Sequence, residues 1–223
     1  MARAARVVVP KLLHHVTERG NHRAKVFFDD EDRYFFLEQL VHCTMQARVL
    51  IVSYCLMTNH THLLLIPSDE TGLAKALKPL PMRYSQHLNY RFKHTGLNWQ
   101  GRFFSAPLDA THSLNALRYV AENPVRAGMV VRPEEYQWSS AKRHISGDPN
   151  PYITAPDRWL KKASQALATT GSGLLCPHKC DQLRWATLMN LPVGESSFIA
   201  GLERLTGRQL FARSRGRPRN DKG

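Results

Sequence analysis

The run CLMTNHTHLLLI, Cys55 to Ile66, sets two imidazoles, His60 and His62, one residue apart in an apolar stretch. Side chains alternate along a strand, so both histidines project from one face with Leu64 and Ile66. Thr61, Leu63 and Leu65 face the other way. Residues two apart are separated by roughly 7 Å of backbone, so both rings can converge on one cation. Two hydrogen-bonded core histidines at a hairpin end fit the same pattern, and the pair alone leaves both readings open. In LRYVAENPVRAG, Tyr119 and Asn123 stand at i and i+4, neighbours on one helix face, with Leu117 roughly opposite Tyr119. Neutral imidazole and amide oxygen ligate divalent cations. A phenol, with a pKa of about 10, is a nucleophile once something draws off its proton or activates its target. A half-buried tyrosine and a helix-ending asparagine before a proline would give the same spacing.

The elements that must position these groups are legible from periodicity. A first strand is expected at Leu12–Gly20, then a helix capped by Asp29 or Asp30 with Phe36, Leu37, Leu40 and Cys43 or Thr44 inward. Arg48–Met57 reads as a strand, Thr58-Asn59 as a tight turn and His60–Pro67 as the hairpin partner, apolar on both faces and therefore central. A helical stretch from about Gly72 to His94 should break at Pro79 and Pro81. WQGRFFSAPL is expected to form a turn and a strand. THSLNALRYVAEN is expected to be a helix capped near Thr111 or Ser113 and ended by Pro124. A hairpin among alternating strands and helices implies an α+β fold with an antiparallel or mixed central sheet. After about Gly147 the texture changes: SGDPNPYITAP is linker-like and ASQALATTGSG small and polar. A short helix pair is expected at Asp181–Asn190 and Ser196–Thr206. The expected division is a catalytic domain over 1–147, then a linker, helix pair and basic tail over 148–223.

The chain has 223 residues, 43% hydrophobic and 22% charged, as a globular protein should. No run approaches the roughly 18 apolar residues of a membrane span, and the start is too short in apolar length for a signal peptide. A cytoplasmic, nucleoid-associated protein is expected. Cys43 and Cys55 read as buried thiols. Cys176, His178 and Cys180 in CPHKC lack a second ligand pair at zinc-finger spacing. The net charge of +13, from 31 basic and 18 acidic side chains, favours nucleic acid as partner over membrane, because no basic amphipathic helix with a strong apolar face is present.

Taken together, HHVTERGNHR, CLMTNHTHLLL, WQGRF, LRYVAENPVRAGMV, WSSAKRH and the late LPVGESSFIAGLERLTGRQL with RGRPR resemble the REP-associated tyrosine transposases, relatives of the single-tyrosine HUH transposases. The resemblance implies a ferredoxin-like HUH palm. It also implies a divalent cation, Mg²⁺ or Mn²⁺, held by His60, His62 and Asn123, with Tyr119 as the nucleophile toward single-stranded DNA beside a hairpin. Glu122, only three residues past Tyr119, is the weaker candidate for third ligand. The sequence departs from the family pattern at Thr58, usually proline, at Thr61, usually apolar, and at Pro79 and Pro81. The segment from Ala163 to Asp181 has no counterpart.

For the DNA, Arg83, His87, Arg91 and His94 recur at helical spacing as one basic face. Arg102 sits between Trp99 and Phe103, where backbone contact and base stacking combine. Arg23 and Arg126 are further candidates. The tail carries seven basic residues against one acidic from Arg204 to Lys222. Its Arg215 and Arg217, in RGRPR, suit a narrow minor groove, although a plain polybasic arm has the same composition. Monomer and homodimer remain equally compatible. Two other functions fit parts of the pattern: a non-catalytic binder of structured DNA or RNA descended from such an enzyme, and a hydrolase with a metal-bound water.

Overall fold

The computed structural model describes residues 6–168 and 173–211, so Arg215 and Arg217 lie outside the described residues. Among the described residues the chain forms four strands, the two longest apolar on both faces: His14–Arg19 (β1), Val49–Met57 (β2), His60–Pro67 (β3) and Phe104–Pro107 (β4). They form one sheet in the order β2-β3-β1-β4, every neighbouring pair antiparallel. The fold is α+β, as expected, and the histidine strand is central. Gly20 joins the end of β1 to the β2–β3 turn through its N–H to the Asn59 carbonyl (2.8 Å). A Cβ there would meet the Ala24 carbonyl oxygen at 2.3 Å, so only glycine closes this corner.

Eight α-helices surround the sheet among the described residues: Asp30–Gln46 (α1), Gly72–Leu77 (α2), Pro79–Phe92 (α3), Ala110–Arg126 (α4), Ala141–Ser146 (α5), Asp157–Ala168 (α6), Pro177–Met189 (α7) and Ser196–Thr206 (α8). Asp29 caps α1, accepting from the Asp32 N–H. Three sequence expectations are corrected. Pro79 opens α3 and Pro81 sits in its first turn, where backbone N–H groups have no intrahelical partner, so the chain breaks only once, at Lys78. The cap of α4 is Asp109, whose carboxylate accepts from the His112 N–H. That helix also runs through Pro124 to Arg126. Pro124 has no N–H for the Val120 carbonyl, and at the adjacent carbonyl, that of Tyr119, the Arg126 guanidinium donates a hydrogen bond.

Phe27, Phe36, Tyr84 and Trp99 pack together beneath α1 and α3, with Phe27 and Phe36 rings edge-on at 5.3 Å. Each such buried side chain contributes about 1.5–3 kcal/mol. Residues read as linker-like instead cover the β2 edge: the Thr154 and Ala155 N–H groups both donate to the Ile51 carbonyl, and Thr154 Oγ1 accepts from the Ile51 N–H. At the other edge, Asn190 Oδ1 accepts from the Ser105 N–H, and Val193 pairs with Pro107 and Asp109. This docks α7, which starts earlier than expected, against β4 and β1. The helix α6 was not anticipated at all.

Candidate active site

The register of the two central strands sets Thr17 opposite His62 and Arg19 opposite His60. His15, Thr17, Arg19, His60 and His62 thus share a face. They floor a cavity of about 250 Å³, walled by Tyr119 and Asn123 of α4 and by Arg184, Thr187 and Leu188 of α7. One chain therefore brings together Tyr119, His60, His62 and Asn123. The two histidine rings stand nearly perpendicular with centroids 4.9 Å apart, and the Tyr119 ring meets His62 edge-on at 5.3 Å.

Burial determines the charge of this floor. It lowers the pKa of His60 to about 4, with help from Arg19 and Arg184, and that of His62 well below its ordinary value, with His60 adding to the effect. Both rings are neutral at pH 7, as ligation requires.

Hydrogen bonds then fix which ring nitrogen is free. Thr187 Oγ1 donates to the Leu183 carbonyl (2.7 Å), so it accepts from His15 Nδ1 (2.8 Å). Burial holds His15 neutral, with a pKa of about 3. Its Nε2 is therefore an acceptor for the His62 Nδ1–H, 2.9 Å away. His60 is fixed separately: its Nδ1 lies 2.7 Å from Asn59 Oδ1, and that amide is oriented by Asn59 Nδ2 donating to the Arg23 carbonyl (2.9 Å). Both histidines are left with Nε2 as the lone-pair atom. Asn123 is 9% exposed and its amide nitrogen has no hydrogen-bond partner. No cluster of three or more His, Cys, Asp or Glu side chains able to hold a metal occurs among the described residues, so a cation here would draw on two imidazoles, an amide oxygen and water. That mixed set fits a hard divalent ion better than a closed zinc site.

Tyr119 is held from two sides. The Arg126 guanidinium lies 4.7 Å from its ring centroid, and Arg184 lines the cavity beside it. Burial lowers the pKa of Arg184, while its interactions with Tyr119 and Asp181 raise it, and the net shift is upward. Glu122 points elsewhere: fully buried, it accepts from Arg118 Nε (3.1 Å), Arg126 Nη1 (2.9 Å) and the Leu175 N–H (2.8 Å), tying the entry to α7 onto α4. Sequence reasoning missed His15, Arg184 and Thr187. Strand alternation would have put His15 on the His60/His62 face once the register was known, whereas nothing local marks Arg184 or Thr187.

The expected DNA-binding arginines separate into two groups. Arg23 is exposed at the end of a short 3-10 helix after β1, Arg102 is exposed in the loop before β4, and Arg83 is exposed on α3, donating to Gln39 Oε1 (3.2 Å). Arg91 is already ion-paired within the protein. Its guanidinium pairs with Asp29 and with Asp32 (2.7 Å), and His87 lies 3.1 Å from the same Asp32 while stacking on Phe35. The predicted basic stripe turns toward α1 at these positions, because the fully buried Asp32 carboxylate needs cationic partners. Arg126 is likewise occupied, by Glu122 and the Tyr119 carbonyl.

Residues 8–123 match the model of the family described as Transposase IS200 like. Among solved structures, one described as a REP-associated tyrosine transposase bound to a REP hairpin is similar, with a TM-score of 0.55 and 17% identity over 70% of this chain and 93% of that one. No curated protein sequence matches the chain. Arg184 and Thr187 lie beyond the residues the family model matches. No helix among the described residues is long and apolar enough to cross a membrane.

Proposed function

This chain belongs to the IS200-like transposase family, and from that we propose that it is a metal-dependent endonuclease and strand transferase for single-stranded DNA beside hairpins, working through a 5′-phosphotyrosine. The observation that carries the reading is the meeting, in one cavity, of the Tyr119 phenol with the His60/His62 pair. His60 and His62, through their Nε2 atoms, and Asn123, through its amide oxygen, would hold Mg²⁺ or Mn²⁺. When bound, that ion supplies positive charge to a non-bridging phosphate oxygen and stabilises the transition state.

The protein's own groups do the rest. Tyr119 Oη forms the new bond to phosphorus as the bond to the 3′-oxygen breaks. The phenol proton leaves to solvent, and the departing 3′-oxygen takes one up from it. Arg184, which shares the cavity with Tyr119, stabilises the phenolate character that develops. The resulting ester keeps the reactivity of the bond it replaced, so a second 3′-hydroxyl reverses or redirects the reaction without another energy source. The exposed Arg23, Arg83 and Arg102 are assigned to the DNA backbone, with a hairpin and its single-stranded flank as substrate class.

The experiment is direct. Wild-type protein incubated with labelled hairpin-flanked single strands and Mn²⁺ should give a covalent adduct on a denaturing gel. Tyr119→Phe should give none. An adduct formed by the Phe variant would remove Tyr119 from the mechanism.

A further inference from the structure

The face of the sheet opposite the histidines carries a second cavity, of about 320 Å³, at the low end of the size range of ligand sites. Leu77, Pro81 and Phe103 supply its apolar walls, and Lys78 and Arg102 line it with positive charge. The Arg6 guanidinium stacks 3.7 Å over the Phe103 ring. Glu18, only 5% exposed, also lines this cavity, and its Oε1 has no hydrogen-bond partner. A buried, unpartnered carboxyl oxygen costs free energy that a ligand with a complementary edge would recover. Burial raises the Glu18 pKa to about 8, against the pull of Arg6, so at neutral pH the group is mainly the acid and offers one donor and one acceptor.

We propose that this cavity receives one unpaired nucleobase of the substrate strand, with Glu18 reading its hydrogen-bonding edge. The proposal rests on the reading of the chain as a single-strand DNA enzyme and adds a base-recognition site to it. A flat heterocycle matches the apolar walls, and a carboxyl group in the lining meets the polar rim of a base. The attached phosphate would fall near Lys78 or Arg102. The two cavities also share a wall: Gln100 and Phe104 line the catalytic one, and Gly101, Arg102 and Phe103, between them in sequence, line this one. Gly101, at φ +115° with no atom near where a Cβ would stand, leaves the crossing open. A strand passing over this segment can place a phosphodiester on one face and a neighbouring base on the other.

The test is fluorescence anisotropy in EDTA, with short labelled oligodeoxynucleotides of each base and an abasic strand of equal length as probes. Wild-type protein should prefer at least one base-bearing strand over the abasic one, and Glu18→Leu should lower that preference about tenfold while keeping phosphate-driven binding. Glu18→Gln, which retains one donor and one acceptor, should keep the preference. An unchanged preference in Glu18→Leu, or none in the wild type, overturns the inference. Cleavage is read separately with Mn²⁺: an intact Glu18-dependent preference in a protein that forms no Tyr119 adduct leaves this site standing and removes the catalytic reading.

Discussion

His15 Nε2 accepts from His62 Nδ1 at 2.9 Å, and this contact between neighbouring central strands gives His62 a defined tautomer. Thr187, on a helix more than a hundred residues later in the chain, fixes the other end of the relay (2.8 Å to His15 Nδ1). Partners behind a ligating histidine typically change metal affinity by about 10–100-fold. His15→Ala and Thr187→Val should therefore weaken Mn²⁺ binding in that range by calorimetry, without removing any ligand. In metal-free wild-type protein, long-range ¹H–¹⁵N spectra should show His62 protonated at Nδ1. A proton found on Nε2 would contradict the relay.

Arg184 should matter to rate more than to binding. It shares a cavity with Tyr119 and both histidines, yet the floor is complete without it. Arg184→Ala is expected to lower the rate of adduct formation about 10²-fold, the scale of losing one well-placed transition-state donor. Mn²⁺ affinity should stay within about twofold. Arg184→Lys, which keeps the charge without the planar fork, should recover part of the rate.

The arginines offer a separate test of which charges face DNA. Each Lys or Arg that neutralises a phosphate contributes about one unit to the slope of log affinity against log salt. Arg23→Ala, Arg83→Ala and Arg102→Ala should each reduce that slope by about one. Arg91→Ala should instead destabilise the protein measurably, because it strips the fully buried Asp32 of its guanidinium and leaves His87 and the Phe28 N–H. Urea midpoints and salt titrations of the same four variants separate the two roles.

That division explains what the sequence could reveal. Strand and helix periodicity put His60 with His62 and Tyr119 with Asn123 on shared faces, but it took the family resemblance to join the two pairs into one candidate site. The basic stripe on α3 has the same periodicity, but whether it faces solvent or Asp32 depends on the packing of α1, which no local pattern encodes. The contribution of α7 was hidden for a similar reason. Arg184 and Thr187 sit three apart on an unremarkable helix, and only its docking on β4 through Asn190 and Val193 turns them toward the histidines.

Stability should peak between its acid and alkaline limbs for identifiable reasons. His14 is buried with Nε2 accepting from the Val9 N–H (3.1 Å) and Nδ1 donating to the Leu12 carbonyl (2.9 Å), and burial lowers its pKa to about 4. Burial does the same to His144. Below the unfolded value of 6.5 the unfolded chain binds more protons than the folded one, so stability falls as pH drops from 6.5 toward 4. Each such histidine contributes up to about 1.4 kcal/mol per pH unit. Glu18 acts in the opposite sense, because its folded pKa of about 8 exceeds the unfolded 4.5 and its contribution is lost as pH rises between them. The histidines outnumber it below pH 6.5, and it acts against a flat background above. Urea midpoints in EDTA should therefore be highest near pH 6.5, fall steeply toward pH 4.5 and decline gently toward pH 8. In Glu18→Gln the gentle alkaline decline should disappear while the acid limb remains, and its persistence would show that a group other than Glu18 causes it.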